Sequence, residues 1–337
     1  MASERKWAEA DGSRLIPLAD IDIGDRRHRI TTCSDSNDLQ SSIRRFGLLR
    51  PALVSATESG FSIVSGYRRV DACRALGWSL IPARVLRQQS SDYACALQAV
   101  AENSLERPLN LIETSRALHL LAQHTPGGRI PEEDLAALRL PTHRSVTSRL
   151  RLLCRMPVDL QEGVIEGTLS FAMASELGGL EEDLGIALAR LFRRLKPSLN
   201  KQREIVTLVS EIARREGVNP IKVLEECGLE QAMGPADPDR NQEMNRIRRQ
   251  LRKRRFPALA AAENNFMALR QRLKLGQALQ LAPPRDFEGT CFTLTLSFET
   301  QEELVRLRAK LDELIEHSDF KTLLTGKGRG FEATLDS

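Results

Sequence analysis

The sequence predicts an α+β protein of several domains: a small α/β domain, an all-helical domain and a small C-terminal αββα domain. Its 337 residues are enough for two or three domains with buried cores. Short apolar runs alternate with helical patterns through residues 14–100, whereas helical patterns broken by proline and glycine fill residues 111–229. Near the end, two strand-like runs lie between two helical ones. These three patterns define the predicted fold class.

The elements of the α/β domain follow from local periodicity. Strands are predicted where apolar and β-branched residues cluster, and helices where apolar residues recur every three to four positions. The predicted strands are 14–18, 52–55, 61–64 and 81–86, and the predicted helices are 38–46, 68–76 and 92–101.

The C-terminal domain is predicted to contain helix 257–275, strands 277–281 and 291–298, and helix 300–317. In the last helix Leu304, Leu307, Leu311 and Leu314 recur at helical spacing, which is typical of core packing. A unit this small buries more apolar surface when it pairs with a second copy, so we expect it to dimerise.

Basic residues are concentrated just before this domain. The net charge is +4, yet residues 240–274 hold eleven Lys or Arg against two Glu, a net +9, which leaves 4 − 9 = −5 elsewhere. Two interpretations remain open: a solvated helix face or linker, or a segment that contacts nucleic-acid phosphates without choosing a sequence. The residues expected to make such contacts are Arg248, Arg249, Arg252, Lys253 and Arg254.

Gly66 lies between a predicted strand and a predicted helix and is followed closely by Arg68 and Arg69. A glycine there lets the backbone approach a ligand, and a helix start offers unpaired N–H groups. Arginine supplies forked donors that suit phosphate or carboxylate oxygens. We therefore expect a polyanion, either a nucleotide or DNA; the alternative is that both arginines pair with acidic side chains.

Four signatures in one order resemble the ParB family of chromosome and plasmid partition proteins. Residues 65–72 read Ser-Gly-Tyr-Arg-Arg-Val-Asp-Ala, and residues 102–110 read Glu-Asn-Ser-Leu-Glu-Arg-Pro-Leu-Asn. Residues 39–51 are similar to the family's helix and Gly-x-x-Gln-Pro turn, and a helix-turn-helix pattern is followed by Glu-Gly-Thr-Leu-Ser at 166–170. The resemblance covers residues 14–180.

The resemblance implies a leader at 1–13, a ParB-like α/β nucleotide domain at 14–110, a helical helix-turn-helix DNA-binding domain at 111–232, a basic linker at 233–256 and a C-terminal dimerisation domain at 257–337. It also implies CTP and Mg²⁺ as ligands, which gate a DNA clamp. The expected nucleotide-binding residues are Gly47, Arg50, Gly66, Arg68, Arg69, Glu102 and Asn103. Of these, Glu102 and Asn103 are the candidates for holding the metal and for catalysis, since carboxylate and amide oxygens suit magnesium.

The chain departs from the family within this predicted pocket. Tyr67 stands where the family has Glu, Glu106 where it has Arg, and Arg50 where it has the turn Gln. A carboxylate repels a triphosphate, so Arg50 or Arg107 would have to compensate. We therefore expect nucleotide binding with weak CTPase activity at most, and Arg69 is expected to be a surface cation.

The DNA-reading element is predicted as helix 131–138, a short turn, Thr142 as N-cap and a recognition helix at 143–153. Val146, Leu150 and Leu153 are expected to face the core. The residues expected to contact DNA are Thr142, His143, Arg144, Ser145, Thr147, Ser148 and Arg151. Because residues 140–142 read Leu-Pro-Thr where the family has Gly-Lys-Ser, we expect a site other than the usual partition palindrome.

Three functions are compatible with these patterns. The favoured one is a dimeric partition protein that binds double-stranded DNA in the cytoplasm, associated with the nucleoid and not with a membrane. The second is a transcriptional repressor on the same scaffold, and the third is a kinase or nuclease built on the α/β domain. The family's partner is a Walker-type ATPase, but the leader holds only Arg5 and Lys6 as basic residues.

Overall fold

The computed structural model describes residues 12–33, 35–86, 91–228, 239–287, 289 and 291–325. They form two compact units, one up to Arg193 and one from Arg194 onward. The fold is mixed α+β and mostly helical, as the sequence predicts. No helix among these described residues is long and apolar enough to cross a bilayer.

The first unit begins with a mixed β-sheet, in which some neighbouring strands are parallel and others antiparallel. Its strands are β1 (Arg14–Pro17), β2 (Ile21–Asp22), β3 (Ala52–Thr57), β4 (Gly60–Ser65) and β5 (Leu80–Val85), in the order β1-β5-β3-β4-β2. The strands β3 and β4 form an antiparallel hairpin, and β3 runs parallel to β5. Sequence periodicity missed β2, which is only two residues long.

Helices cover both faces of this sheet: α1 (Asn37–Phe46), α2 (Tyr67–Ala75) and α3 (Asp92–Ser104). Neighbouring residues of β3 and β4 point to opposite faces, as strand geometry requires. Val54 and Ile63 join the core that includes α1 and α2, whereas Leu53 and Val64 join the core that includes α3. The predicted strands and helices of this domain are confirmed to within three residues at each end.

The first unit continues as helices α4 (Leu111–Gln123), α5 (Glu132–Ala137), α6 (Arg144–Leu153), α7 (Val158–Ile165) and α8 (Phe171–Leu177), and α9 (Glu182–Leu195) crosses into the second. The helices α5 and α6 agree with the predicted helices 131–138 and 143–153 to within one residue at each end. The predicted N-cap at Thr142 is wrong, because α6 begins at Arg144 and His143 is its N-cap. Leu150 and Leu153 are buried as predicted, but Val146 is 43% exposed because the first turn of α6 projects beyond the core.

The second unit contains α10 (Leu199–Glu216), α11 (Pro220–Glu226), α12 (Arg240–Arg255), α13 (Pro257–Leu273), β6 (Leu279–Ala282), β7 (Thr293–Leu296), α14 (Gln301–Glu316) and α15 (Ser318–Thr325). The order helix, strand, strand, helix that was predicted from residue 257 onward is present. Leu307 and Leu314 are buried in its core, whereas Leu304 is exposed.

The described part of the predicted basic linker is a helix, α12. It packs on α10 through Met244, Ile247 and Leu251, which are spaced three and four residues apart and fully buried. The apolar spacing was present in the sequence, but the surrounding arginines obscured it. The preceding residues 229–238 lie outside the described part of the chain.

Candidate nucleotide pocket and nucleic-acid interfaces

Gly66 begins α2 in a conformation that favours glycine. Its φ is +96°, in the left-handed region, and a Cβ at this position would lie 2.9 Å from Nε of Arg69. The next residue, Tyr67, is buried, and its hydroxyl donates a hydrogen bond to the carbonyl of Ile63 at 2.8 Å. Tyr67 therefore supports the strand-to-helix turn from inside, and the start of α2 has no side-chain cap.

Arg69 is not the surface cation that the sequence suggested, since its side chain is only 18% exposed. Its Nη1 donates to the carbonyl oxygens of Pro51 at 2.8 Å and Arg50 at 3.3 Å. Its Nη2 lies 3.4 Å from Oε2 of Glu102. Burial lowers the pKa of Arg69 while Glu102 opposes that shift. Arg69 thus connects the chain entering β3 to the last turn of α3.

Glu102 carries a second arginine that sequence reasoning missed. Arg84 on β5 donates to Oε1 of Glu102 at 2.8 Å. In the sequence, Arg84 is only an arginine near the end of a predicted strand, and its partner Glu102 lies 18 residues further along the chain. Both carboxylate oxygens of Glu102 therefore already have cationic partners.

The remaining predicted arginines have partners too. Arg68 donates through Nε and Nη2 to the carbonyl of Asp35 at 2.9 and 2.6 Å. Arg50, which follows the turn that begins at Gly47, forms an ion pair with Glu106. Arg50, Arg69 and Arg84 are thus paired with the carboxylates of residues 102 and 106, whereas Arg68 in the first turn of α2 is bonded to a backbone carbonyl. Among these six groups the cations outnumber the carboxylates by two.

The proposed metal ligands do not form a metal centre by themselves. Nδ2 of Asn103 donates to the carbonyl of Ala99 at 2.8 Å within the same helix. Among the described residues, no group of three or more His, Cys, Asp or Glu side chains is arranged to hold an ion. A magnesium ion at Glu102 and Asn103 would therefore depend on phosphate oxygens for most of its ligands.

Arg107 directly follows Glu106, but its guanidinium is engaged by another carboxylate. It makes a two-bond ion pair with Glu113 on α4, with both N–O distances at 2.7 Å. Glu113 is 1% exposed and also accepts from the backbone N–H groups of Thr32 and Asn110. Burial raises the pKa of Glu113, but these donors outweigh it and lower the pKa to about 2.

The N-terminal turn of α6 is exposed and polar. Thr142, His143, Arg144, Ser145 and Ser148 are all exposed. The hydroxyls of Thr147 and Ser148 donate to backbone carbonyls of their own helix at 3.0 and 3.2 Å, which leaves their oxygen lone pairs available as acceptors. This turn satisfies what a recognition helix requires of its first residues.

Arg151 lies further along α6 and is only partly exposed. Its Nη1 donates to the carbonyl of Gly128 at 3.1 Å, so it fixes the turn between α4 and α5 to α6. Because its guanidinium has more donors than this one bond uses, Arg151 retains the capacity to contact a phosphate.

Six of the eight cations of α12 fall into two groups. Arg248, Arg254 and Arg255 form ion pairs with glutamates of α10 and α11 at 2.5 to 2.7 Å; these glutamates are Glu204, Glu211, Glu216 and Glu226. Arg249, Arg252 and Lys253 are exposed on the same helix. Of the five cations that the sequence pointed to, Arg248 and Arg254 are therefore held against the protein.

The described fold of the first unit is an α/β layer followed by helices, among which α5 and α6 are consecutive. Residues 2–103 match the family model for the ParB N-terminal domain. This part of the chain is therefore similar to the ParB N-terminal domain.

Two relatives show how far the similarity extends. Stage 0 sporulation protein J of Bacillus subtilis is 30% identical over 144 residues, 43% of this chain and 49% of that protein. The nucleoid occlusion protein of Bacillus cytotoxicus is 28% identical over 237 residues, 64% of this chain and 79% of that protein. The matched region thus spans about half the length of the first relative.

A solved structure also matches. It is the C-terminally truncated chromosome-partitioning protein ParB of Caulobacter crescentus complexed with CTP-γ-S, with 24% identity and a TM-score of 0.26. The match covers 54% of this chain and 99% of that one.

Proposed function

We propose that this protein is a dimeric DNA-binding protein of the partition type whose α/β domain binds CTP. The observation that carries the DNA-binding proposal is the exposed polar first turn of α6, with His143, Arg144 and Ser148 directed away from the core. Residues at that end of a recognition helix reach base edges in the major groove. The similarity of residues 2–103 to the ParB N-terminal domain supports this function over an independent kinase or nuclease.

The arginine cluster at the start of α2 supports nucleotide binding. A helix N-terminus and four guanidinium groups favour a triphosphate, which would compete with Glu102 and Glu106 for their arginines. That competition weakens binding relative to a cluster without acids. Since Glu102 is engaged by two arginines and Asn103 by its own helix, we propose that hydrolysis, if present, is slow. Magnesium would be held largely by the phosphates.

Calorimetric titration of the full chain with CTP and separately with ATP, each with magnesium, tests the nucleotide proposal. We expect CTP to bind in the micromolar range and ATP to bind more weakly. If neither CTP nor ATP produces heat on binding, the proposed pocket is contradicted, and the protein is a DNA-binding protein without nucleotide control.

Arg68→Ala is expected to weaken CTP binding at least tenfold with little loss of stability. Arg68 is partly exposed, and its replacement removes only two hydrogen bonds to the Asp35 carbonyl. Arg69→Ala, by contrast, would remove the link between β3 and α3. The matched control is Arg74→Ala, which removes an exposed cation from the other end of α2. Equal affinities of the Arg68 and Arg74 variants would argue against the cluster as the phosphate site.

Dimerisation is proposed to use the C-terminal elements. Phe298, Val305 and Ile315 are apolar side chains on or beside α14 that remain exposed in the single chain, and Val305 is 63% exposed. We expect Val305→Asp to shift the protein from dimer to monomer in sedimentation velocity experiments without unfolding it. The control is Glu302→Asp on the same helix, which should stay dimeric.

Repression is the second candidate, because the same DNA-reading elements serve both roles. The position of the gene separates the two: an adjacent gene for a Walker-type ATPase supports partition, and an isolated regulator supports repression. In either case we propose that the protein associates with the nucleoid.

A further inference from the structure

The outward face of α12 is a row of polar side chains without carboxylates. Helical spacing brings together side chains three, four and three residues apart along this row. The row consists of Gln242, Asn245, Arg249 and Arg252. With Arg248 these side chains line a depression of about 480 Å³. Two neutral amides thus lie within a surface whose other members are cations.

Both ends of α12 are fixed. Asp239 is the N-cap, and its Oδ1 accepts from the backbone N–H groups of Asn241 and Gln242 at 3.0 and 3.1 Å. At the other end Arg215 of α10 donates to the carbonyls of Arg254 and Arg255, both at 2.7 Å. Together with the buried apolar face, these contacts hold the outward row in a defined position on the second unit.

Asn245 is oriented by a neighbouring arginine. Arg248 bonds to Glu204 through Nε and Nη2 at 2.8 and 2.5 Å, and its Nη1 lies 3.4 Å from Oδ1 of Asn245. The Oδ1 atom retains a second lone pair, and Nδ2 remains available as a donor. Asn245 can therefore offer the donor and acceptor pair that recognises adenine.

We propose that α12 is a second DNA-reading helix, in which Gln242 and Asn245 contact base edges while Arg249 and Arg252 contact the flanking phosphates. This inference rests on the proposed DNA-binding function and adds to it a sequence-reading site outside the helix-turn-helix. The major groove admits an α-helix, and Asn and Gln pair with adenine through two hydrogen bonds. Residues three apart are separated by about 4.5 Å along a helix axis, which lies between one and two base-pair steps of about 3.4 Å.

Amide substitutions separate base reading from phosphate binding, because they leave the charge of the helix unchanged. A preferred site is first selected from random double-stranded DNA with the full chain. Affinities of Gln242→Ala and Asn245→Ala are then measured on that site and on random-sequence DNA of equal length. The matched control is Gln250→Ala, an exposed amide on α12 outside the row.

We expect each row variant to bind the selected site about tenfold more weakly, as the loss of a two-bond base contact requires, with less than a twofold change on random DNA. Repeating the selection with Asn245→Ala should abolish the preference at one or two A·T base pairs. If the row variants behave like Gln250→Ala on both DNAs, α12 does not read bases, while DNA binding itself stands. If the unmodified chain binds no DNA, the proposed function fails as well.

Discussion

Replacing Glu113 with glutamine is expected to lower the free energy of unfolding by about 3 kcal/mol at pH 7. Its carboxylate accepts from Arg107, Thr32 and Asn110 and is almost completely buried. An amide in this position places an N–H group against donors and leaves Arg107 without its counter-charge. Urea denaturation of the two proteins measures the difference.

The size of this effect depends on pH in a defined direction. The pKa of Glu113 is lowered from its ordinary value of 4.5 to about 2 in the folded protein. A carboxylate with a depressed folded pKa contributes its full stability above the unfolded pKa and loses that stability as pH falls toward the folded pKa. The difference between wild type and Glu113→Gln should therefore be constant above pH 5.5 and shrink steadily between about pH 4.5 and pH 2.

The control is Glu132→Gln, an exposed carboxylate at the start of α5. Its stability should differ from wild type by less than about 0.5 kcal/mol, as is usual for surface substitutions. A Glu113 variant no less stable than this control would mean that the connection between α3 and α4 does not depend on the Arg107–Glu113 pair.

Local patterns in the sequence were sufficient for much of the fold. The alternation in β3 and β4, Gly66 before α2 and the leucines of α6 each specify their element through interactions between near neighbours. The two-residue strand β2 was missed because a bridge that short carries no periodic signal. The N-cap at Thr142 was misplaced by one residue, an error that composition alone does not resolve.

The charge partners could not be predicted in the same way. Arg69 was expected on the surface, and only the fold brings it to the Pro51 carbonyl and Glu102. On α12, Arg248 is paired with a glutamate that precedes it by 44 residues, and Arg254 with one that precedes it by 38. A count of cations along the sequence therefore overestimates how many are available to DNA.

The two groups of cations on α12 give opposite predictions for DNA binding. Arg249→Gln/Arg252→Gln/Lys253→Gln removes three exposed charges that make no ion pair among the described residues. Each phosphate contact contributes about 0.9 to the slope of log K against log salt, so the slope should become shallower by up to about 3. At about 0.15 M salt this corresponds to an affinity on the order of 100-fold weaker for any sequence. Thermal stability should hardly change.

The matched triple variant is Arg248→Gln/Arg254→Gln/Arg255→Gln, which removes the same charge from the same helix. These arginines hold α12 to glutamates of α10 and α11, so the second unit should lose stability when they are replaced. The glutamates that lose their partners should repel DNA only weakly. Fluorescence anisotropy over a salt series, with thermal unfolding of both variants, distinguishes the two groups. If both triple variants reduce the salt slope equally, the ion pairs open when DNA binds, and all six cations belong to the interface.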